Sequence, residues 1–104
     1  MRIISGIHRG RVIQPPKNLR ARPTTDFAKE NLFNVLNSHL EIEGLDVLDL
    51  FSGTGSISYE FASRGAASVV SVEINAVHHQ YIRNTAKSFG FTNIHPVKAN
   101  AFLY

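Results

Sequence analysis

The run Val47-Leu48-Asp49-Leu50-Phe51-Ser52-Gly53-Thr54-Gly55 constrains this chain more than any other stretch. A short apolar strand carries an acid near its end and then breaks into a loop with two glycines. Gly53 and Gly55 can take positive φ and let a ligand approach the backbone closely. Backbone N–H groups at a strand-to-helix turn attract anions, yet Asp49 puts a carboxylate at the same place. A ligand suited to this loop therefore carries positive charge as well as hydrogen-bond acceptors.

The flanking pattern says what kind of sheet holds the loop. Thr24-Thr25-Asp26 offers N-caps, and Leu32, Phe33, Leu36 and Leu40 recur at helical spacing, which predicts a helix from about Phe27 to Leu40. A strand follows over Asp46–Leu50. Ser56 to Arg64 reads as a helix that buries Ile57 and Phe61 and ends at Gly65. The β-branched run Ser68–Glu73 is a second strand, Asn75 caps a helix closed by Gly90, and Ile94–Lys98 is a third strand. Strand, helix, strand, helix, strand is a βαβαβ unit, so the fold class is α/β with a parallel, Rossmann-like half-sheet. In such sheets ligands bind beyond the carboxyl ends of the strands. Upstream, Arg2–Ser5, a turn over Gly6 to Gly10, and Arg11–Gln14 predict a β-hairpin, followed by a Pro-flanked basic connector. Residues 1–24 thus form a basic hairpin and connector, and residues 25–104 the sheet-bearing part.

Glu73 narrows the ligand. It closes the second strand 20 residues after Gly53, the spacing at which a carboxylate reaches the two hydroxyls of a ribose. A phosphate-binding Walker loop needs a lysine that Gly55 lacks after it. A dinucleotide pyrophosphate would be repelled by Asp49. The ammonium and sulfonium centres of S-adenosylmethionine meet the combined demand of Asp49, the loop and Glu73.

Composition limits the alternatives. With 104 residues, 43% of them apolar, the chain supports at most one domain. There is no run of about 20 apolar residues of the kind that spans a bilayer. The lack of cysteine removes disulfides and thiolate metal sites and suits the cytoplasm. His78 and His79 point about 100° apart on a helix, so they do not share a metal ion, and no metal is expected. The net charge of +3 is uneven: residues 1–30 carry +5 and the remainder −2. A basic N-terminal cluster reads as a phosphate-facing surface, because Lys and Arg replace counterions condensed on nucleic acid. Tyr59 and Tyr81 read as packing residues.

At this level of detail the chain resembles a known family. Val47 to Gly55 looks like the first motif of class I S-adenosylmethionine-dependent methyltransferases, and Arg64-Gly65-Ala66 fits the same pattern. Arg2-Ile3-Ile4-Ser5-Gly6, Arg9-Gly10-Arg11, Arg22-Pro23-Thr24-Thr25-Asp26 and Leu32-Phe33-Asn34-Val35-Leu36 resemble the RsmD-type methylases of small-subunit ribosomal RNA, which modify a guanine N2. The resemblance implies that Asp49 and the backbone of Phe51, Ser52, Gly53 and Gly55 face the methionine part of S-adenosylmethionine. It further implies that Glu73 holds the ribose, Ile74 packs on the adenine, and Asn100 accepts from the adenine amine. Arg9, Arg11, Arg20 and Arg22 would hold the backbone of ribosomal RNA, within the assembling small subunit.

Methylases of exocyclic amines also resemble one another in an (Asp/Asn)-Pro-Pro-(Tyr/Phe) motif after a fourth strand, and this sequence has no such run. The expectation is therefore a chain that carries the cofactor half of the fold, without the C-terminal strands and without catalytic residues. It would be inactive by itself, and either the N-terminal part of a longer polypeptide or a chain that self-associates through a bare sheet edge. The competing class is a noncatalytic RNA-binding module with a methyltransferase-like half-fold.

Overall fold

A computed structural model describes residues 1–15 and 25–103. Arg20 and Arg22 lie outside the described residues. The elements are α1 (Asp26–Asn37), β1 (Asp46–Asp49), α2 (Ser56–Ser63), β2 (Ser68–Glu73), α3 (Ala76–Phe89) and β3 (Ile94–Lys98). Both strand pairs are parallel and the sheet order is β1-β2-β3. Asp49 stands opposite Ser71, and Glu73 opposite Lys98. Pro96 is tolerated inside β3 because that strand is an edge and its missing N–H breaks no inner ladder.

The helices end where their chemistry predicts. Thr25 caps α1 by accepting from the Ala28 N–H, and Asn75 caps α3 by accepting from Val77 and His78. Gly90 closes α3 with φ 76°. Helix α1 stops three residues before the expected Leu40. The Ser38 hydroxyl donates to the Val35 carbonyl at 2.7 Å, a local bond that competes with helix continuation, and Leu40 is left exposed. Only Lys29 and Phe33 of α1 are fully buried, so the expected stripe is half realised.

The core joins both helix α2 and the N-terminal residues to the sheet. Ile3, Ile13, Phe33, Tyr59, Val69 and Ile82 are buried in one cluster. Ile57 and Phe61, expected to be buried, are only half-buried against this cluster. The buried residues of α2 are instead Ser56, Ser58, Tyr59, Glu60, Ala62 and Ser63. The reason is that α2 is covered on two sides, by the sheet and by residues 1–8. Gly6 sits so close to α2 that a Cβ there would overlap the Ser63 carbonyl.

The expected hairpin is reduced to one antiparallel bridge, Arg2 to Val12, supported by Ile3 N–H to Arg11 O and Ile13 N–H to Met1 O. Pairing stops there because the next two amides have another acceptor. Ile4 and Ser5 N–H donate to the two carboxylate oxygens of Glu60, at 2.9 and 3.0 Å. Glu60 is fully buried and also accepts from Arg64 Nε at 2.8 Å, with Lys29 Nζ 3.6 Å away. Lys29, itself buried, donates to the Arg2 carbonyl and to the Ser56 hydroxyl. Burial lowers the Lys29 pKa, and Glu60 and Asp26 act against that shift. This ion cluster fastens the N-terminal segment and α1 to α2, the helix that begins at the glycine loop.

Candidate cofactor site

The loop after β1 is built by backbone bonds that leave little freedom. Ser52 N–H donates to Val72 O at 3.1 Å, which joins the loop to β2. The Ser52 hydroxyl donates to the Asp49 carbonyl at 3.0 Å, and Gly55 N–H to Ser52 O at 2.7 Å. Gly53 and Gly55 both have positive φ, 56° and 87°. At Gly55 a Cβ would also fall 2.6 Å from the Tyr59 ring, so any larger residue is blocked by both backbone and space.

Glu73 locks the loop from the neighbouring strand. Its Oε1 accepts from Gly53 N–H and its Oε2 from Asn75 N–H, both at 2.8 Å. One carboxylate thus joins the turn after β1 to the turn after β2. Each oxygen retains a lone pair, so the same group can still receive two ligand hydroxyls.

Asp49 is oriented by a chain of buried hydroxyls. Ser71 Oγ donates to Ser58 Oγ at 2.6 Å, and Ser58 Oγ donates to Asp49 Oδ2 at 2.7 Å. Ser58 and Ser71 are both fully buried. Asp49 and Ser71 are register partners on β1 and β2, and Ser58 of α2 bridges them. The sequence reading missed both serines. A signal existed: Ser71 is a polar residue within the apolar run Val69-Val70-Ser71-Val72, and such a group, when buried, needs a partner.

A cleft of about 210 Å³ opens at the carboxyl ends of the three strands. Phe51, Glu73, Ile74 and Asn100 line it together with Leu50 and Phe102. Phe51 and Phe102 meet edge to face at 5.8 Å, and Phe51 and Ile74 expose most of their surface. Asn100 Oδ1 accepts from Phe102 N–H at 3.0 Å and so shapes the turn that closes the cleft. Asp49, Ser52, Gly53 and Gly55 do not line this cleft; they form the strand end and loop beside it. The structure therefore divides the eight expected cofactor residues into a cleft set and a loop set, joined by the bond between Glu73 and Gly53.

These residues suit S-adenosylmethionine. Apolar walls at Phe51 and Ile74 match a flat base, Glu73 matches paired hydroxyls, and the Asp49 carboxylate matches a cation. A phosphate-rich ligand would meet two carboxylates.

The N-terminal arginines sit elsewhere. Arg11 Nη1 donates to the Phe89 carbonyl at 3.0 Å, and its guanidinium lies 4.3 Å from the Phe89 ring centroid. Ile7 N–H donates to Ser63 O. Both contacts are at the C-terminal ends of helices, where the chain enters β2 and β3, and thus at the end of the sheet away from the cleft. Arg9 is exposed in the same turn. The His8 ring, 4.5 Å from the ring of Phe91, has Nδ1 2.8 Å from Arg11 Nη1. Arginine can only donate, so this nitrogen accepts. Burial and, secondly, the Arg11 charge lower the His8 pKa. Arg11 is thus partly committed to holding the turn in place.

The family model described as Conserved hypothetical protein 95 matches residues 1–103. Ribosomal RNA small subunit methyltransferase D of Escherichia coli K12 is 38% identical over 105 residues, covering the whole of this chain and 52% of that protein. Uncharacterized methylase RP545 of Rickettsia prowazekii is 33% identical, over 97% of this chain and 46% of that one. The chain spans about half the length of the curated relatives it matches. Among solved structures, yhhF of Escherichia coli superposes with a TM-score of 0.85 at 31% identity, over 99% of this chain and 54% of the other. Precorrin-6y C5,15-methyltransferase of Geobacter metallireducens GS-15, at 23% identity and a TM-score of 0.67, covers 83% of this chain and 43% of its own and shares the fold. No helix among the described residues is long and apolar enough to cross a membrane.

Proposed function

The chain belongs to the Conserved hypothetical protein 95 family, and from that premise we propose that it carries the methyl-donor site of an RNA methyltransferase. The cofactor is S-adenosylmethionine and the substrate a guanine N2 of small-subunit ribosomal RNA in the cytoplasm. The observation that carries this reading is the pairing of Asp49, held by Ser58, with Glu73, held by Gly53, on either side of one glycine loop. The names of the relatives, which include ribosomal RNA methyltransferases, support the substrate class.

On this reading Glu73 receives the ribose hydroxyls while it keeps the loop closed. Phe51 and Ile74 cover the two sides of the base, and Asn100 accepts from its amine through the lone pair that Phe102 leaves free. Asp49 and the loop backbone take the ammonium and carboxylate of the amino-acid part. When bound, the donor supplies an activated methyl group on sulfur. The protein's own contribution is to position that group and to keep a compensating negative charge nearby. Arg9 and Arg11 hold RNA phosphates and carry no sequence readout.

Isothermal titration with S-adenosylhomocysteine, NADH and ATP tests the cofactor class. Binding of the first alone is expected. Asp49→Asn, which keeps the shape and the Ser58 bond but removes the charge, should weaken it about 10- to 100-fold, the range for a charged hydrogen bond. Binding of NADH without S-adenosylhomocysteine would overturn the reading.

A further inference from the structure

All eight Asp and Glu residues lie between Asp26 and Glu73, whereas nine of the eleven Lys and Arg residues lie outside that span. The two inner cations, Lys29 and Arg64, are both spent on the buried Glu60. Residues 1–25 and 74–104 therefore contain no acid at all, and the fold puts described parts of both segments side by side. Arg11 is bonded to the last residue of α3, and His8 lies against Phe91 just beyond it. Phe91 is also a wall of a groove of about 520 Å³ between α3 and the β3 edge. Arg83 and Lys87, both exposed and one helical turn apart, line that groove with Gln80 and Asn84.

We propose that the face formed by these two segments, from the turn with Arg9 and Arg11 across the C-terminal half of α3 to Arg83 and Lys87, is one continuous surface for an RNA backbone. The inference rests on the reading of the chain as an RNA methyltransferase and adds α3 to its substrate contacts. Arg83 and Lys87 are on the side of α3 that faces β3, and Arg11 is on the side that faces the N-terminal turn. A helix diameter of roughly 10–12 Å separates the two cationic rows, so phosphates can be held on both sides of the helix. Between them the amides of Gln80 and Asn84, bonded to each other at 2.9 Å, offer donors and acceptors to ribose hydroxyls. Neither segment contributes an Asp or Glu side chain to this face; Glu41 and Glu43 line a different pocket, with Ser5, Gly6 and Arg64, and the cations offset the negative end of the α3 dipole. Attraction of the helix C-terminus for cations accounts for a lysine at position 87 but not for Arg83, which lies outside the last turn.

The test uses the 104-residue chain, a short RNA hairpin as probe, and fluorescence anisotropy over a salt series. Arg83→Ala/Lys87→Ala is compared with Asn31→Glu/Asn34→Glu, which changes the net charge equally on the exposed face of α1. Loss of two phosphate contacts lowers the slope of log K against log salt by about 1.5. The wild-type advantage should shrink about ten-fold between roughly 50 and 200 mM salt. The α1 variant keeps the wild-type slope, and both variants keep S-adenosylhomocysteine binding. An unchanged slope in the α3 variant, or an equal fall in both, overturns the α3 surface alone. A wild-type chain without salt-dependent RNA affinity overturns it together with the RNA reading, and binding to an acidic protein in place of RNA would do the same.

Discussion

Replacing Glu60 should be far more damaging than replacing Lys29, although the two form one buried ion pair. Glu60 accepts from two backbone amides and from Arg64, and faces Lys29 at 3.6 Å. Glu60→Ala strands the Ile4 and Ser5 N–H groups, each costing about 1–3 kcal/mol where it stays dry. It also leaves a buried ammonium, and breaking such a pair costs about 3–5 kcal/mol. Partial relaxation keeps these from adding fully, so a loss of about 4–6 kcal/mol is expected. Lys29→Met removes the ammonium with its partners still satisfied: Glu60 keeps three donors, and the Arg2 carbonyl is near the surface. The expected cost is about 1–2 kcal/mol, that of a few lost hydrogen bonds. A chain of this size holds about 5–15 kcal/mol in total, so Glu60→Ala approaches unfolding and Lys29→Met does not. The chain has no tryptophan, so urea denaturation followed by far-ultraviolet circular dichroism is the assay. The double variant should recover about 2 kcal/mol relative to the sum of the single ones, because the stranded cation is gone. Equal losses for the two single variants, or strict additivity, would refute the reasoning.

Two other perturbations separate structure from ligand binding. Ser58→Ala frees Asp49 Oδ2 and also strands the Ser71 hydroxyl, whereas Ser71→Ala leaves the Ser58 to Asp49 bond in place. Both should lower stability by about 1 kcal/mol, but only Ser58→Ala should weaken S-adenosylhomocysteine binding measured by calorimetry; equal weakening by both would remove Ser58 from the site. The Tyr59 and Tyr81 hydroxyls are buried near the Thr85 side chain without a well-aligned hydrogen bond among the described residues, and burial raises both phenol pKa values against a smaller opposing effect of Thr85. Raised folded-state values mean that stability is intact below the ordinary phenol pKa of about 10 and is lost as pH rises beyond it, because the unfolded chain releases those protons first. Tyr59→Phe should therefore reduce the alkaline loss seen in denaturation midpoints above pH 10 and cost little or nothing at neutral pH, whereas an unchanged alkaline limb would contradict the burial argument.

The strands were legible because their signal is local. Ser68–Glu73 and Ile94–Lys98 have the bounds that their β-branched content and flanking turns predict, and Asn75 and Gly90 mark the ends of α3. Phe51, Glu73, Ile74 and Asn100 meet in one cleft because a parallel sheet brings the carboxyl ends of consecutive strands together; the sequence placed Phe51 with the glycine loop instead. Helix α2 was not. Its periodicity favours Ile57 and Phe61 as the inner face, yet these are half-buried while the covered residues include the polar Ser58, Glu60 and Ser63. Periodicity finds one partner surface, and α2 has two, the second made of residues 1–8, more than 50 positions away in sequence. Ser63 bonds to Ser5 and His8, and Glu60 to Ile4 and Ser5, all of them pairings that no local window contains. The hairpin is shortened for the same reason, since the amides that would have extended it beyond the Arg2 to Val12 bridge found Glu60.

The position of the basic surface sets a geometric condition on the proposed substrate. Strand β2, six residues long, separates the two ends of the sheet by roughly 20 Å at about 3.3 Å per residue. The Phe89 carbonyl that Arg11 holds is at one end, and the cleft beside Glu73 is at the other. An RNA held by Arg9, Arg11, Arg83 and Lys87 therefore reaches the methyl donor only with a part some 20 Å from its anchored phosphates, about the rise of a turn or less of a nucleic-acid helix. Anchoring and chemistry are thus made by different stretches of one RNA. Arginine substitutions at the basic end should then act on affinity and its salt dependence, and changes at Asp49 or Glu73 on cofactor affinity. The two groups should show additive effects, because no contact joins them and independent sites add.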